Sequence, residues 1–224
     1  MSNEHEDALR KYFNESKPTF DSKHIRVSGI GYCQRLQVAK ALGMVSTAQT
    51  IEHYYSHVGH MCEELLGLAW PTAERQINVP IPNHDAFTHP DFYFSASRNA
   101  VECKTVEDDA LPRLTKPKTA AHKQVLLNWH YWSVASLQQK APQVPERYWV
   151  VYCGRNGWAM NRKWFEVKYD RQEADELDRT FQDSLLHVKL GTLPPRLPKM
   201  GWECKTHTGA QCAMYDYCWG EDNE

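Results

Sequence analysis

Two short alternating segments, His89–Phe94 and Ala100–Val106, flank Ser95–Asn99, a run of turn-forming residues, and this arrangement constrains the chain more than any other. It predicts a β-hairpin with Pro90-Asp91 on one arm and Glu102-Cys103-Lys104 on the other. Side chains alternate along a strand, so Glu102 and Lys104 share a face and the hairpin brings Asp91 beside them. Two carboxylates that close repel, and a divalent cation relieves the repulsion. Such an ion polarises a phosphoryl oxygen and activates water, while a nearby ammonium stabilises charge developing on phosphorus. The plain structural alternative is a cross-strand salt bridge at a sheet margin.

Glu-x-Lys alone carries little information, because the chain has it three times: Glu102-Cys103-Lys104, Glu166-Val167-Lys168 and Glu203-Cys204-Lys205. The third lies in a tail without strand pattern, and no acidic residue precedes the second on the strand before it. Only the first follows such a residue, Asp91. Upstream, Gly59-His60-Met61-Cys62-Glu63-Glu64 lies on an expected helix, where His60 and Glu64 share a face. An imidazole joined to carboxylates favours Mn²⁺-like ions alongside Mg²⁺. Taken singly, His60 reads as a helix-surface residue; in series with Asp91, Glu102 and Lys104 it reads as a ligand.

The remaining pattern supplies the scaffold. Ser28 is positioned to cap a helix that carries Cys33 and runs to about Gly43. Thr50–Trp70 reads as a second helix with Tyr54, Val58, Met61, Leu65 and Leu68 as its apolar face, ended by Pro71. Arg75–Ile81 reads as a strand with Ile77, Val79 and Ile81 on one side, followed by a turn at Pro82–Asp85. Leu111–Thr119 is an exposed loop whose cations, with nearby Lys123, are Arg113, Lys116 and Lys118. Ala120–Gln139 is a long helix. Tyr148–Cys153 and Trp158–Val167 form a strand pair around Asn156-Gly157, Arg171–Lys189 is an amphipathic surface helix, and Gly191–Gly201 is a linker. The order predicts an α/β protein with a mixed central sheet flanked by helices.

Bulk composition narrows the class. The 224 residues are 42% hydrophobic, enough for a real core, and carry a net charge of −2, which excludes a strongly basic nucleic-acid binder but not a local basic groove. The charged N-terminus has no apolar stretch of the signal-peptide kind, and no window approaches the roughly 20 apolar residues of a membrane span. A cytoplasmic location is expected, where thiols stay reduced and seven Cys read as metal ligands plus core thiols. Cys62, Cys103 and Cys153 lie on apolar patterned segments and read as core. Cys204, Cys212 and Cys218 crowd a polar tail, and with Cys33 they make four thiolates, which suit a [4Fe–4S] cluster or a tetrahedral Zn²⁺. Spacing alone does not choose between the two.

The order His60, Pro90-Asp91, Glu102-x-Lys104, then a Gln-bearing helix resembles the RecB-like branch of the PD-(D/E)xK nucleases. The resemblance implies a restriction-endonuclease-like core in which His60, Asp91, Glu102 and the Cys103 carbonyl bind Mg²⁺ or Mn²⁺ and Lys104 is catalytic. It carries over Gln124 from the family's Gln-x-x-x-Tyr motif; Asn128 stands where Tyr is expected, and Tyr131, two turns beyond Gln124, is the candidate substitute. One remote N-terminal Cys, in Cys33-Gln34-Arg35, plus three C-terminal ones resembles the Cas4 and AddB-type nucleases, in which an iron–sulfur cluster staples the two ends together. Here Cys204 lies further upstream than that family's tighter pair. The implied organisation is a polar lead-in (1–27), a helical segment with the first cluster Cys (28–50), a nuclease core (51–190) and a linker with a cysteine-rich tail (191–224). The implied activity is metal-dependent, exonucleolytic cleavage of single-stranded DNA ends. The basic loop would track phosphates and aromatic residues would stack bases. Partners in such families include Cas1 and Cas2 or a recombination complex. The alternatives are a catalytically weak or partner-activated DNA-binding subunit and an endonuclease of the same fold.

Overall fold

The structure is a computed structural model that describes residues 25–45, 50–155, 161–196, 212 and 214–219. A five-stranded sheet has the order β1-β4-β5-β6-β7, built from β1 (Glu74–Arg75), β4 (Phe92–Phe94), β5 (Asn99–Val106), β6 (Arg147–Gly154) and β7 (Arg162–Val167). β2 (Val79–Pro80) and β3 (Phe87–Thr88) form a separate two-stranded sheet. Among the described residues only the β5–β6 pair is parallel; the other pairs are antiparallel. Parallel neighbours need a long crossover, and the helix α3 (Thr119–Leu137) supplies it. The expected mixed sheet flanked by helices is therefore the architecture observed.

The β4–β5 hairpin forms as its sequence predicts, with Phe92 opposite Val101 and Phe94 opposite Asn99. Arg98 takes φ +52 at the turn. Alternation along β5 then divides the molecule into two cores. Ala100 and Val106 face α3, joining Val125, Tyr148, Val150 and Tyr152. Val101 and Cys103 face the other way, toward the helix α2 (Thr50–Ala69), with Cys153 and Val151 of β6. Cys62, Cys103 and Cys153 are all buried there, as core thiols should be.

Helix α2 ends within a residue of expectation, but it presents a different face. Cys62 and Leu66, with Val58, meet the sheet, whereas Met61, Leu65 and Leu68 are 47%, 38% and 79% exposed. The helical period was readable; the rotation of the helix about its axis was set by the seam it packs into. The first helix also differs. Instead of starting at Ser28, the chain makes a 3₁₀ turn at Val27–Gly29, and α1 spans Gln34–Ala41 with Cys33 as its N-cap. Gly31, between the two, lies against α3: a Cβ there would fall 2.5 Å from the Ala120 Cβ, and closer still to the backbone of α3's first turn. The expected strand over Arg75–Ile81 is broken into β1 and β2 by Gln76, whose φ is +49.

The helix α4 (Arg171–Leu190) is the expected amphipathic helix. Asp170 caps it by accepting from the Glu173 N–H at 3.0 Å, Gly191 ends it at φ +65, and Ala174, Leu177, Phe181 and Ser184 are its buried stripe. It packs on α3 and on α1, where Gln34 Nε2 donates to Asp183 Oδ2 at 2.9 Å. A fifth helix, α5 (Tyr215–Trp219), stands in the cysteine-rich tail where none was expected. The Asn156-Gly157 turn and Cys204 lie outside the described residues. No described helix is long and apolar enough to cross a membrane.

Candidate active site

The site is assembled at β4 and β5 and covered by α2 and α3. Pro90 has no N–H to give a ladder, and β4 begins only at Phe92. Asp91 is thereby freed to use its side chain: Oδ2 accepts from the Cys103 N–H at 2.7 Å and Oδ1 from Gln76 Nε2 at 3.1 Å. The Gln76 N–H also donates to the Asp91 carbonyl at 3.1 Å, so the left-handed residue that breaks the first strand clamps Asp91 twice. Glu102 lies on the α3 face of β5 and is buried. Its Oε1 accepts from Lys104 Nζ and from Gln124 Nε2, each at 2.6 Å. Its Oε2 is buried with no hydrogen-bond partner.

Electrostatics mark the group as strained, by burial first and by like charge second. Burial, then the Asp91 charge, pushes the Glu102 carboxyl up to about 7 despite Lys104 and Gln124. Burial also raises Asp91, against the pull of Lys104 and the Cys103 N–H. The Lys104 ammonium loses solvation on burial, but attraction to Glu102 and Asp91 outweighs that and holds it above the ordinary lysine range. A third carboxyl joins them. Glu63 on α2 is pushed up to about 8, by burial first and then by Asp91 and Glu102. Glu64, expected to share a face with His60, turns outward into a two-point pair with Arg75 at 2.5 and 3.0 Å. With Cys62 and Leu66 as the seam, position 63 falls on the site side, and only the observed rotation of α2 reveals it.

The expected residues divide into those the fold gathers and those it does not. Asp91, Glu102, Lys104 and Gln124 converge. His60 lies at the periphery on α2, 60% exposed in its side chain, with Nδ1 3.7 Å from Glu63 Oε2. Cys103 contributes its main chain, its thiol lying on the opposite face. Tyr131 is buried on the α4 side of α3, where its hydroxyl donates to Asp178 Oδ1 at 2.8 Å. Asn128, in the position where the motif would have Tyr, is a buried tie that accepts from the Thr88 hydroxyl and approaches the Tyr148 hydroxyl at 3.4 Å. In the basic loop, Arg113 pairs with Asp109 at 2.7 Å and Lys116 is exposed. Lys118 is the N-cap residue of α3, its N–H donating to the Tyr152 hydroxyl at 2.8 Å, and Lys123 is half-buried on α3. Tyr152 is opposite Lys104 in the β5–β6 register, so the loop closes over the site's end of the sheet.

Among the described residues no group of three His, Cys, Asp or Glu side chains is arranged to hold a metal ion. The donor set nonetheless suits a hard divalent cation. Mg²⁺ keeps much of its water and takes only one or two carboxylates, and the unpartnered Glu102 Oε2 beside Asp91 is such a donor. At the chain ends, Cys212 and Cys218 are buried with Met214 and Ala39 of α1, the helix Cys33 caps. Arg35 donates to the Pro194 carbonyl and sits 5.5 Å from the Tyr217 ring centre, and Arg196 donates to the Cys218 carbonyl at 2.6 Å. Helix α1 and the described part of the cysteine-rich tail are thus packed together, and Cys204 is outside the described residues.

Solved structures share this fold at low sequence identity. The crystal structure of SSO0001 matches with a TM-score of 0.55 at 16% identity, over 97% of this chain and 96% of that one. An alkaline exonuclease from Laribacter hongkongensis matches with a TM-score of 0.52 at 10% identity, over 81% of this chain and 93% of that one. A phage-related exonuclease from Haemophilus somnus matches with a TM-score of 0.53 at 10% identity, over 74% and 93%. No family model and no curated protein matches the sequence. The chain has the α/β fold of these exonuclease structures, a mixed central sheet flanked by helices.

Proposed function

We propose that the protein is a metal-dependent DNA nuclease of the RecB-like PD-(D/E)xK type that degrades single-stranded DNA from its ends, in the manner of the Cas4-like enzymes. The observation that carries the reading is the convergence of Asp91, Glu102 and Lys104 with Gln124, together with a buried Glu102 oxygen left without a partner. Asp91 and Glu102 would hold Mg²⁺ or Mn²⁺, with Glu63 and His60 at its margin. When bound, the ion supplies Lewis-acid polarisation of a phosphoryl oxygen and makes water a competent nucleophile at neutral pH.

The chain's own residues do the rest. Gln124 and the Cys103 N–H fix the two carboxylates in place before substrate arrives, so little reorganisation is left for the reaction step. Lys104 is 32% exposed, which leaves its ammonium within reach of a phosphate while Glu102 orients it. It would stabilise the charge that builds on the phosphoryl oxygens. Lys116, Lys118 and Lys123 would steer the strand toward it. Cys33, Cys204, Cys212 and Cys218 would hold a [4Fe–4S] cluster, or Zn²⁺ in its place, as a structural staple between chain ends already in contact. Iron and zinc content of anaerobically purified protein decides between the two metals. Cas1 and Cas2 or a recombination complex remain the partners to test.

The activity test is digestion of end-labelled single-stranded and duplex DNA with Mg²⁺, Mn²⁺ or EDTA, comparing wild type with Lys104→Ala. Metal-dependent cleavage lost in the variant supports the reading, and the product ladder gives its polarity. Equal cleavage by both proteins, or none by folded wild type, refutes it.

A further inference from the structure

Helix α2 covers only part of its face of the sheet. Beyond its last turn an open cleft of about 420 Å³ remains, walled by Trp70, Phe94, Trp149 and Trp164, with Ser97 and Asn99 its polar lining. The rings brace one another: Trp70 stands 5.6 Å from Phe94 and 5.6 Å from Trp164, and Trp149 lies 6.5 Å from Trp164. Trp164 is nonetheless 41% exposed. Large rings are normally buried by the fold that holds them, and here three indoles are held rigid around an opening.

Three further observations define what fits. The Asn99 amide donates to the Ser97 hydroxyl at 3.0 Å, so the polar lining is an amide and a hydroxyl without net charge, suited to the edge of a planar heterocycle. One margin of the cleft is cationic. Arg147 and Lys168 flank Glu166 on the strand face that carries Trp149 and Trp164, giving two cations to one carboxylate. The cleft also lies close to the carboxylates. Phe94 is three residues along the strand from Asp91, about 10 Å. Trp70, still hydrogen-bonded to the Leu66 carbonyl, is seven residues along the helix from Glu63, again about 10 Å. A nucleotide or two of extended single strand spans that distance.

We propose that this cleft binds an unpaired nucleobase of a DNA single strand whose backbone meets the Arg147 margin at one end of the cleft and the carboxylates at the other. The inference rests on the nuclease reading for the identity of the strand. It assigns the selection of unpaired over paired DNA to a ring-lined cleft on the face of the sheet opposite Glu102, since a base locked in a duplex cannot enter.

The test is fluorescence anisotropy of a short labelled oligothymidylate with the full chain in EDTA, where the strand stays intact. Trp164→Ala and Trp149→Ala should each weaken binding about tenfold or more, and Trp164→Phe, which keeps a ring, by about twofold at most. An oligomer of equal length made of abasic sites should bind wild type as weakly as oligothymidylate binds Trp164→Ala. A merely structural role for Trp164 would not reproduce that equivalence. Equal affinity of wild type and both Ala variants overturns the proposal. So does a change in sedimentation mass of Trp164→Ala at unaltered DNA affinity, which would make the cleft a contact between two copies of the chain. Cleavage by the same proteins, in separate samples with Mg²⁺ or Mn²⁺, is read separately. Ring-dependent binding without cleavage would support the cleft and sink the nuclease reading; cleavage with ring-independent binding would do the reverse.

Discussion

Removing divalent metal should make this protein less stable as pH rises, because the fold holds carboxyls that prefer to be neutral. Glu102 titrates near its ordinary 4.5 when unfolded and near 7 when folded. Between those values the folded state binds the extra proton, so unfolding free energy falls with increasing pH. From pH 5.5 to 8.5 Glu102 alone removes about 2 kcal/mol. Glu63, moved to about 8 by the same crowding, acts in the same direction and shares the same repulsion, so the two effects do not add in full. For a chain of this size the Glu102 effect corresponds to about 4–8 °C in Tm. The assay is urea denaturation in EDTA at both pH values, on wild type and Glu102→Gln. The variant should be flatter by about 2 kcal/mol, since a neutral amide neither titrates nor repels Asp91 and Glu63. Added Mg²⁺ should stabilise wild type at pH 8.5 by about 3 kcal/mol once it reaches a hundredfold its Kd, and much less at pH 5.5, where protons occupy the same oxygens. A stability that stays level or rises from pH 5.5 to 8.5 without metal, or a Glu102→Gln slope equal to wild type, would refute this account of the site.

Other substitutions probe separate parts of the argument. Gly31→Ala should cost about 1–3 kcal/mol in urea, because the added methyl meets the backbone at the start of α3 and has no flexible neighbour to displace. Tyr131→Phe should lose about 1 kcal/mol with its Asp178 hydrogen bond while leaving cleavage unchanged; a fall in kcat at unchanged stability would instead put Tyr131 in contact with DNA. Gln124→Leu should keep its packing and lower kcat about tenfold or more, by freeing Glu102 to turn, with little change in KM. Gln76→Gly relieves a left-handed backbone but removes a clamp on Asp91, so stability should hold or rise as cleavage falls.

The hairpin with its acidic pair was legible from strand alternation and turn residues alone, because both signals are local. So were the amphipathic α4, the two other long helices and the buried thiols. Sequence did not reveal which way α2 faces. Met61, Leu65 and Leu68 carry a stronger apolar signal than Cys62 and Leu66, yet it is Cys62 and Leu66 that pack with Val101, Cys103, Val151 and Cys153 of β5 and β6. That rotation moved Glu63 into the site and Glu64 out to Arg75. Gln76 was equally silent, since a glutamine in the left-handed region has no composition signature. The close approach of Gly31 to Ala120, which only a glycine allows, joins residues far apart in the chain and has no local signal.

The bond from the Cys103 N–H to the Asp91 side chain has a consequence for how such a chain would decay over generations. A main-chain donor that a carboxylate satisfies is part of the sheet's own wiring, so Asp91 serves the fold as well as the chemistry. Lys104 is 32% exposed and satisfies no main-chain group; its ammonium donates to Glu102 and offsets the charge of Asp91. A lineage released from selection for catalysis should therefore keep the aspartate, leaving an inactive descendant that still displays part of the motif.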